Sequence, residues 1–249
     1  MRVLFYGTPA FALPTLQALR ARHHVVAAVT QPDRPAGRGQ RERVSPVKAM
    51  ALEHGIPLLQ PIRLRDAGWA ERLAEHRADV AVVVALGQIL PQAILDVPAR
   101  GSINVHASLL PRMMAHAIGA EETAGELAGR LATLGAEVLL ETLDRLDTLT
   151  PRPQDAGAAT LAPRLRKEDG LLDWTEAAVG LAARVRGLNP WPGATTLVPG
   201  GRLAIGTGAD LLEPVEVQPE NRRPMAWEAY LRGARLAPGA LLGATVPGA

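Results

Sequence analysis

Short, continuously apolar runs alternate with amphipathic stretches along the first half of the chain. Residues 2–6 form one such run, ending at Gly7-Thr8-Pro9, after which Phe11, Leu13, Leu16 and Leu19 recur at the spacing of a helix lying on a sheet. Residues 24–30 predict a second strand, 47–54 a helix, 57–60 a short strand and 66–76 an amphipathic helix. Residues 79–86 are the most continuously apolar run, as a parallel strand covered on both faces requires. A short helix is predicted from 92 to 95 and a strand over 101–106. This alternation predicts an α/β fold, a Rossmann-like open parallel sheet with flanking helices and right-handed crossovers. Beyond a helix expected over 121–143, short strands are predicted at 194–197, 203–205 and 212–217, followed by a helix over 225–235.

Composition narrows the chemistry. With 249 residues, 47% apolar and 21% charged, the chain can bury a sizeable core, and two unequal domains are expected. It has no cysteine, which excludes disulfides and thiolate chemistry, and its six His are scattered without metal-ligand spacing, so no metal is expected. No stretch approaches the roughly 20 apolar residues of a membrane span, and a cytoplasmic protein is expected. The formal net charge is only +2, and nearly all the positive charge is Arg, with Lys48 and Lys167 the two lysines. The placement of charge therefore matters more than its total.

Residues 31–48 form a conspicuous basic arm at the exit of the second strand. Arg34, Arg38, Arg41, Arg43 and Lys48 outnumber Asp33 and Glu42, and three prolines with two glycines predict a loop without regular structure. Such an arm can grip phosphates or simply be solvated. The first strand-to-helix turn reads Gly7-Thr8-Pro9-Ala10-Phe11-Ala12, without the second and third glycines of a dinucleotide fingerprint, and no Walker A sequence is present. At the end of the last predicted strand of the sheet, Asn104 and His106 are two residues apart and share a strand face, an amide beside an imidazole able to exchange a proton near neutral pH. They could polarise a carbonyl and move a proton, or be two polar residues on an exposed face.

These residues resemble a known family, the methionyl-tRNA formyltransferases, within the wider group that takes formyl from 10-formyltetrahydrofolate. The resemblance runs through Gly7-Thr8-Pro9, residues 31–39 of the arm, Ser45-Pro46-Val47-Lys48, residues 83–91 and residues 103–112. It resumes at Pro153-Gln154-Asp155, Lys167-Glu168-Asp169, Asp173-Trp174, residues 189–194 and Val217-Gln218-Pro219-Glu220. It implies that Asn104 hydrogen-bonds the formyl oxygen and that His106 transfers protons as the amino group of initiator methionyl-tRNA attacks the formyl carbon. Ser108, Leu109, Leu110 and Pro111 resemble the folate-binding segment, and Leu86, Gly87, Ile89 and Leu90 the wall beside the pterin. Arg34, Arg38, Arg41, Arg43 and Lys48 resemble the loop that reaches the tRNA acceptor end.

The sequence departs from the family pattern in two places. After Arg112 the family continues with Trp-Arg-Gly and later Leu-Asp-Thr-Gly, whose Asp supports the catalytic His; here Met113–Ala120 follow, and a few tens of family residues are missing. Asp147, in Leu146-Asp147-Thr148-Leu149, lies beyond the following helix and is not assigned that role. The resemblance also implies a small β-barrel-type C-terminal domain, incomplete here because residues are missing between Ile205 and Val215. The expected division is a formyltransferase α/β domain over 1–176, a linker over 177–193 and an abbreviated β domain over 194–249. The expected protein is a monomeric formyltransferase acting on methionyl-tRNA. The alternatives are an amino-sugar formyltransferase and a folate- or tRNA-binding protein impaired in turnover by loss of the Asp.

Overall fold

The first apolar run becomes β1 (Arg2–Gly7), whose residues after Arg2 are all buried. Alternate side chains enter opposite faces of the sheet. Val3 and Phe5 join one apolar cluster and Leu4 and Tyr6 another. In this computed structural model, residues 1–36, 41–107, 117–151, 153, 157, 162–198, 201–205 and 216–234 are described, with backbone alone at 34–36, 41–43 and 201–202.

Helix α1 (Leu13–Arg22) leads to β2 (His24–Val29). The arm follows, and its backbone departs from expectation by forming two short strands, β3 (Arg34–Ala36) and β4 (Arg41–Arg43), paired antiparallel with Pro35 opposite Glu42. In a two-stranded ribbon each strand has an unpaired edge, so a proline that cannot donate to a ladder is tolerated.

Then come α2 (Pro46–Glu53), β5 (Leu58–Leu59), α3 (Trp69–Ala74), β6 (Val80–Val84), α4 (Gln92–Leu95) and β7 (Ser102–Asn104). Five of the strands pair in parallel in the order β5-β2-β1-β6-β7. Strand order therefore reverses across the β1/β6 neighbours, the place where open α/β sheets hold ligands outside the carboxyl ends of their strands. Leu16 and Leu19 of α1 and Val47 and Ala51 of α2 cover one face. Leu73 of α3 and Ile94 of α4 cover the other.

Helix α5 (Ala124–Asp144) opens on a capping box. The Thr123 hydroxyl accepts from the Glu126 N–H at 3.3 Å, and the Glu126 carboxylate accepts from the Thr123 N–H at 2.9 Å. The bonds from Thr123 hold the Glu126 carboxyl below the usual carboxylate range. Its buried Ala132, Ala136, Leu139 and Leu143 repeat at helical spacing, and the two leucines enter the same cluster as α1 and α2.

The chain divides into two compact units, Met1–Ala115 with Ala128–Gln154, and His116–Leu127 with Asp155–Ala249. In the second, residues 177–193 are not a plain linker. They hold α6 (Ala178–Gly187), because Leu181, Val185 and Leu188 fall on one side and are buried against Leu172, Ala194 and Leu203. Strands β8 (Ala194–Val198), β9 (Gly201–Ile205), β10 (Glu216–Pro219) and β11 (Met225–Ala226) form an antiparallel sheet in the order β11-β10-β9-β8. The helix expected from 225 begins two residues later as α7 (Trp227–Ala234), after Met225 and Ala226 pair with β10. Most of the strand expected at 212–217 lies outside the described residues. Among the described residues no helix is long and apolar enough to cross a membrane.

Candidate active site

Asn104 is the last residue of β7 and pairs in register with Val83 of β6. Two residues earlier, the Ser102 hydroxyl donates to the Leu95 carbonyl at the end of α4, at 3.0 Å, so Ser102 and Asn104 face the α4 side. Val105 keeps the ladder going, its N–H donating to the Val83 carbonyl at 2.9 Å, while its side chain packs on the opposite cluster. Asn104 and His106 flank Val105. Asn104 and His106 are both exposed.

Gly135 of α5 explains how the helix comes this close. A Cβ built there would lie 2.7 Å from Val105 Cγ1, closer than side chains pack, so only glycine lets the helix seat against the strand end.

The adjoining strand ends are joined by hydrogen bonds. At the end of β1 the Thr8 hydroxyl donates to the Leu86 carbonyl beyond β6, at 3.0 Å, and the Gln31 side-chain amide donates to the same carbonyl at 2.9 Å. Thr8 Oγ1 in turn accepts from the Thr30 hydroxyl at 3.4 Å and from the Gln31 N–H at 3.3 Å. A hydroxyl has one proton to give. The 3.0 Å contact between Thr30 and Ser45 must then run from Ser45 to Thr30, with Ser45 Oγ accepting the Lys48 N–H at 3.1 Å as the cap of α2. A directional chain Ser45 to Thr30 to Thr8 to Leu86 crosses the carboxyl edge of the sheet.

The base of the arm is fastened here too. Lys48 is ion-paired to Asp33, with both side chains more than four-fifths buried. Gln60 donates to the Gln31 carbonyl at 3.1 Å and to Asp33 at 3.3 Å. The bond from Lys48 is the main cause holding the Asp33 carboxyl below its ordinary range. Lys48, expected to meet tRNA, thus commits its ammonium to closing the arm's two ends. The backbone carries Arg34, Arg41 and Arg43 on the β3–β4 ribbon. Arg38, and Ser108, Leu109, Leu110 and Pro111, lie outside the described residues.

Of the expected pterin wall, Leu86 is 2% exposed and faces inward, into the apolar cluster that includes Ile94. Ile89 is 93% exposed and Leu90 half-buried against the core. Gln88 braces this loop, accepting from the Leu64 N–H and donating to the Pro61 carbonyl, both at 3.1 Å. Asp147 is ion-paired to Arg100, which precedes β7. That is the amino end of the strand, while His106 follows its carboxyl end, a separation of up to roughly 20 Å at about 3.3 Å per residue. Asp147 does not replace the family's Asp.

Thr8, Gln31, Ser45 and Gln60 were not singled out from the sequence. The available signal was position: Thr8 and Gln31 each follow a parallel strand, where ligand sites form.

The sequence profile of formyl transferases matches residues 1–126, and that of the formyl transferase C-terminal domain matches residues 164–205. The methionyl-tRNA formyltransferase of Jannaschia sp. (strain CCS1) is 40% identical over 300 aligned positions, covering 97% of this chain and all of the relative. That of Thermus thermophilus is 39% identical over 304 positions, covering 98% and 99%. Both alignments are longer than the chain's 249 residues, so the relatives carry internal residues with no counterpart here. Among solved structures, a sugar N-formyltransferase from a Shewanella species superposes with a TM-score of 0.55 at 13% identity, covering 86% of this chain and 99% of the other. A Mycobacterium tuberculosis protein superposes with 0.58 at 20%, covering 86% and 98%. At such identities the two structures establish the shared fold, while the profiles and the near-complete alignments establish descent: the chain belongs to the formyl transferase family.

Proposed function

We propose that this protein transfers formyl from 10-formyltetrahydrofolate to the amino group of initiator methionyl-tRNA. The observation that supports the reading is Asn104 closing β7 with His106 two residues further on, in a chain about 40% identical to methionyl-tRNA formyltransferases along nearly its whole length. In this reading the amine nitrogen bonds to the formyl carbon and the carbonyl becomes an oxyanion. The Asn104 amide donates to that oxygen. His106 takes the proton lost by the amine and returns it to N10 of the folate as the C–N10 bond breaks, leaving tetrahydrofolate and formylmethionyl-tRNA. Gly87, Ile89 and Leu90, with Ser108, Leu109, Leu110 and Pro111, bound the donor, the Leu86 backbone joining them. The arginines of the ribbon meet tRNA phosphates, where lost counterions make binding salt-dependent. The reaction needs no metal, and we take the protein to act as a cytoplasmic monomer.

The missing Asp favours a second reading, donor and tRNA binding with little turnover. Loss of the Asp that orients the His of a serine protease costs about 10⁴ in turnover, and a comparable loss is expected here. An amino-sugar acceptor is disfavoured by the basic arm and by the names of the full-length relatives.

Formylation of methionyl-tRNA by the unaltered chain, by Asn104→Ala and by His106→Ala tests the assignment. Asn104→Ala should lose about 10²–10³ in kcat, the usual cost of one oxyanion donor. Equal activity in the unaltered chain and His106→Ala overturns the mechanism; tRNA binding with a steep salt dependence but no turnover supports the second reading.

A further inference from the structure

The loop after β6 takes an unusual path. Ala85 has φ +48° and Gly87 φ +78°, a region that costs an alanine free energy and that glycine tolerates. Something must hold the backbone there. The Leu86 carbonyl between them accepts two donors, the Thr8 hydroxyl at 3.0 Å and the Gln31 amide at 2.9 Å. The Gln31 amide also lies against Gly87 so closely that a Cβ at 87 would overlap its nitrogen. Gly87 is therefore required twice, for its φ and for the room it leaves Gln31. Gln31 itself is anchored through its backbone, its N–H to Thr8 and its carbonyl to Gln60. It begins the segment leading into the basic arm, whose far end returns through Ser45 to the same carbonyl by way of Thr30 and Thr8.

We propose that Gln31 is a positioning residue for the formyl donor, its side-chain amide setting the backbone of residues 85–87 that bounds the donor's site. The inference rests on the functional reading above. Gln31 touches no reacting atom; it acts through the Leu86 carbonyl and the surface of Gly87. Because Thr8 still donates to that carbonyl when Gln31 is truncated, the loop is loosened rather than lost. The backbone bonds of residue 31 survive truncation, so the arm keeps its base.

The test is a steady-state analysis of Gln31→Ala, Gly87→Ala and the double variant, varying the donor and methionyl-tRNA separately. Loss of one hydrogen bond predicts a KM for 10-formyltetrahydrofolate raised roughly two- to ten-fold in Gln31→Ala. kcat and the KM for tRNA should stay within about two-fold. Gly87→Ala displaces the same amide, so the double variant should resemble Gly87→Ala alone, whereas independent effects would multiply. Binding of tetrahydrofolate measured by calorimetry gives the same comparison without turnover and should show the same weakening. An unchanged donor KM and unchanged tetrahydrofolate affinity in Gln31→Ala overturn the proposal, as do multiplying effects in the cycle. Failure of the functional reading looks different: His106→Ala would then match the unaltered chain, whatever residue 31 does.

Discussion

Gly135→Ala tests whether the seating of α5 on Val105 holds the Asn104 and His106 end in place. Two effects oppose each other. Replacing glycine by alanine inside a helix is worth about 0.8–1.0 kcal/mol in propensity. Against this, the new methyl would sit 2.7 Å from Val105 Cγ1, where ordinary contact begins near 3.4 Å. Val105 cannot turn aside easily, because its branched side chain is stiff at χ1. In a closed core such an overlap costs about 1–3 kcal/mol. Here, however, β7 lies at the edge of its sheet and is paired only to β6 among the described residues. The strand end can yield, so the cost falls at the low end and the net stability change is within about 1 kcal/mol of zero. What yields is the segment carrying Asn104 and His106. A displacement approaching 1 Å at catalytic groups can cost about 10²-fold, so kcat should fall roughly ten- to hundred-fold while Tm hardly moves. Gly129 on the same helix is the control, since a Cβ there meets nothing within 4 Å. Gly129→Ala should show the propensity gain alone, about 2–4 °C in Tm, with activity unchanged. Thermal unfolding and formyl transfer measured on both variants decide it. If Gly135→Ala is as stabilised as Gly129→Ala and fully active, the close approach does not govern the site.

Other outcomes follow from individual side chains. The Tyr6 hydroxyl is buried without a hydrogen-bond partner among the described residues, and burial drives its pKa upward. Tyr6→Phe should be neutral or stabilising by up to about 1 kcal/mol in urea unfolding, and a clear destabilisation would reveal a partner. Trp174 Nε1 donates to the buried Thr196 hydroxyl at 2.7 Å. Thr196→Val should therefore cost about 1–3 kcal/mol, and a variant as stable as the parent would show the bond to be dispensable. Burial first, then the N-terminal ammonium and Arg22, lower the pKa of His23, with Asp144 opposing. Below its unfolded pKa of about 6.5 the unfolded state binds more protons, so stability should fall as pH drops through that value towards the lowered folded one. The decline should be shallower in His23→Gln, and parallel pH profiles would contradict the linkage. Alanine at Arg34, Arg41 and Arg43 together should raise the KM for methionyl-tRNA without changing the donor KM. It should also flatten the salt dependence by about 0.7–0.9 for each phosphate no longer neutralised, and an unchanged slope would remove the ribbon from the tRNA interface.

Much of the first unit was legible from local pattern. β1, β2 and β6 are continuous apolar runs, and a strand apolar on both faces has few homes other than the middle of a covered parallel sheet. Asn104 and His106 stood out because two polar residues ended such a run. The arm was misread as irregular, since an antiparallel ladder between residues 34–36 and 41–43 leaves only a weak trace in sequences rich in Arg and Pro. The second unit was less legible. Its strands are short, and α6 looked like a connection until Leu181, Val185 and Leu188 met Leu172 and Leu203.

By itself the sequence determined the α/β class, the approximate strands and helices, the family and the polar pair at the end of β7, because each depends on near neighbours along the chain or on motifs read directly. Tertiary structure alone decided what holds the site. Thr8 reaches the Leu86 carbonyl across 78 residues and Gln31 across 55, and those partners meet because the strands lie side by side in the order β2-β1-β6. Strand order likewise placed Asp147 at the amino end of β7, turned Leu86 inward and committed Lys48 to Asp33. Hydrophobic period says which face a residue takes, but only the stacking of strands says which distant carbonyl, carboxylate or glycine stands opposite it.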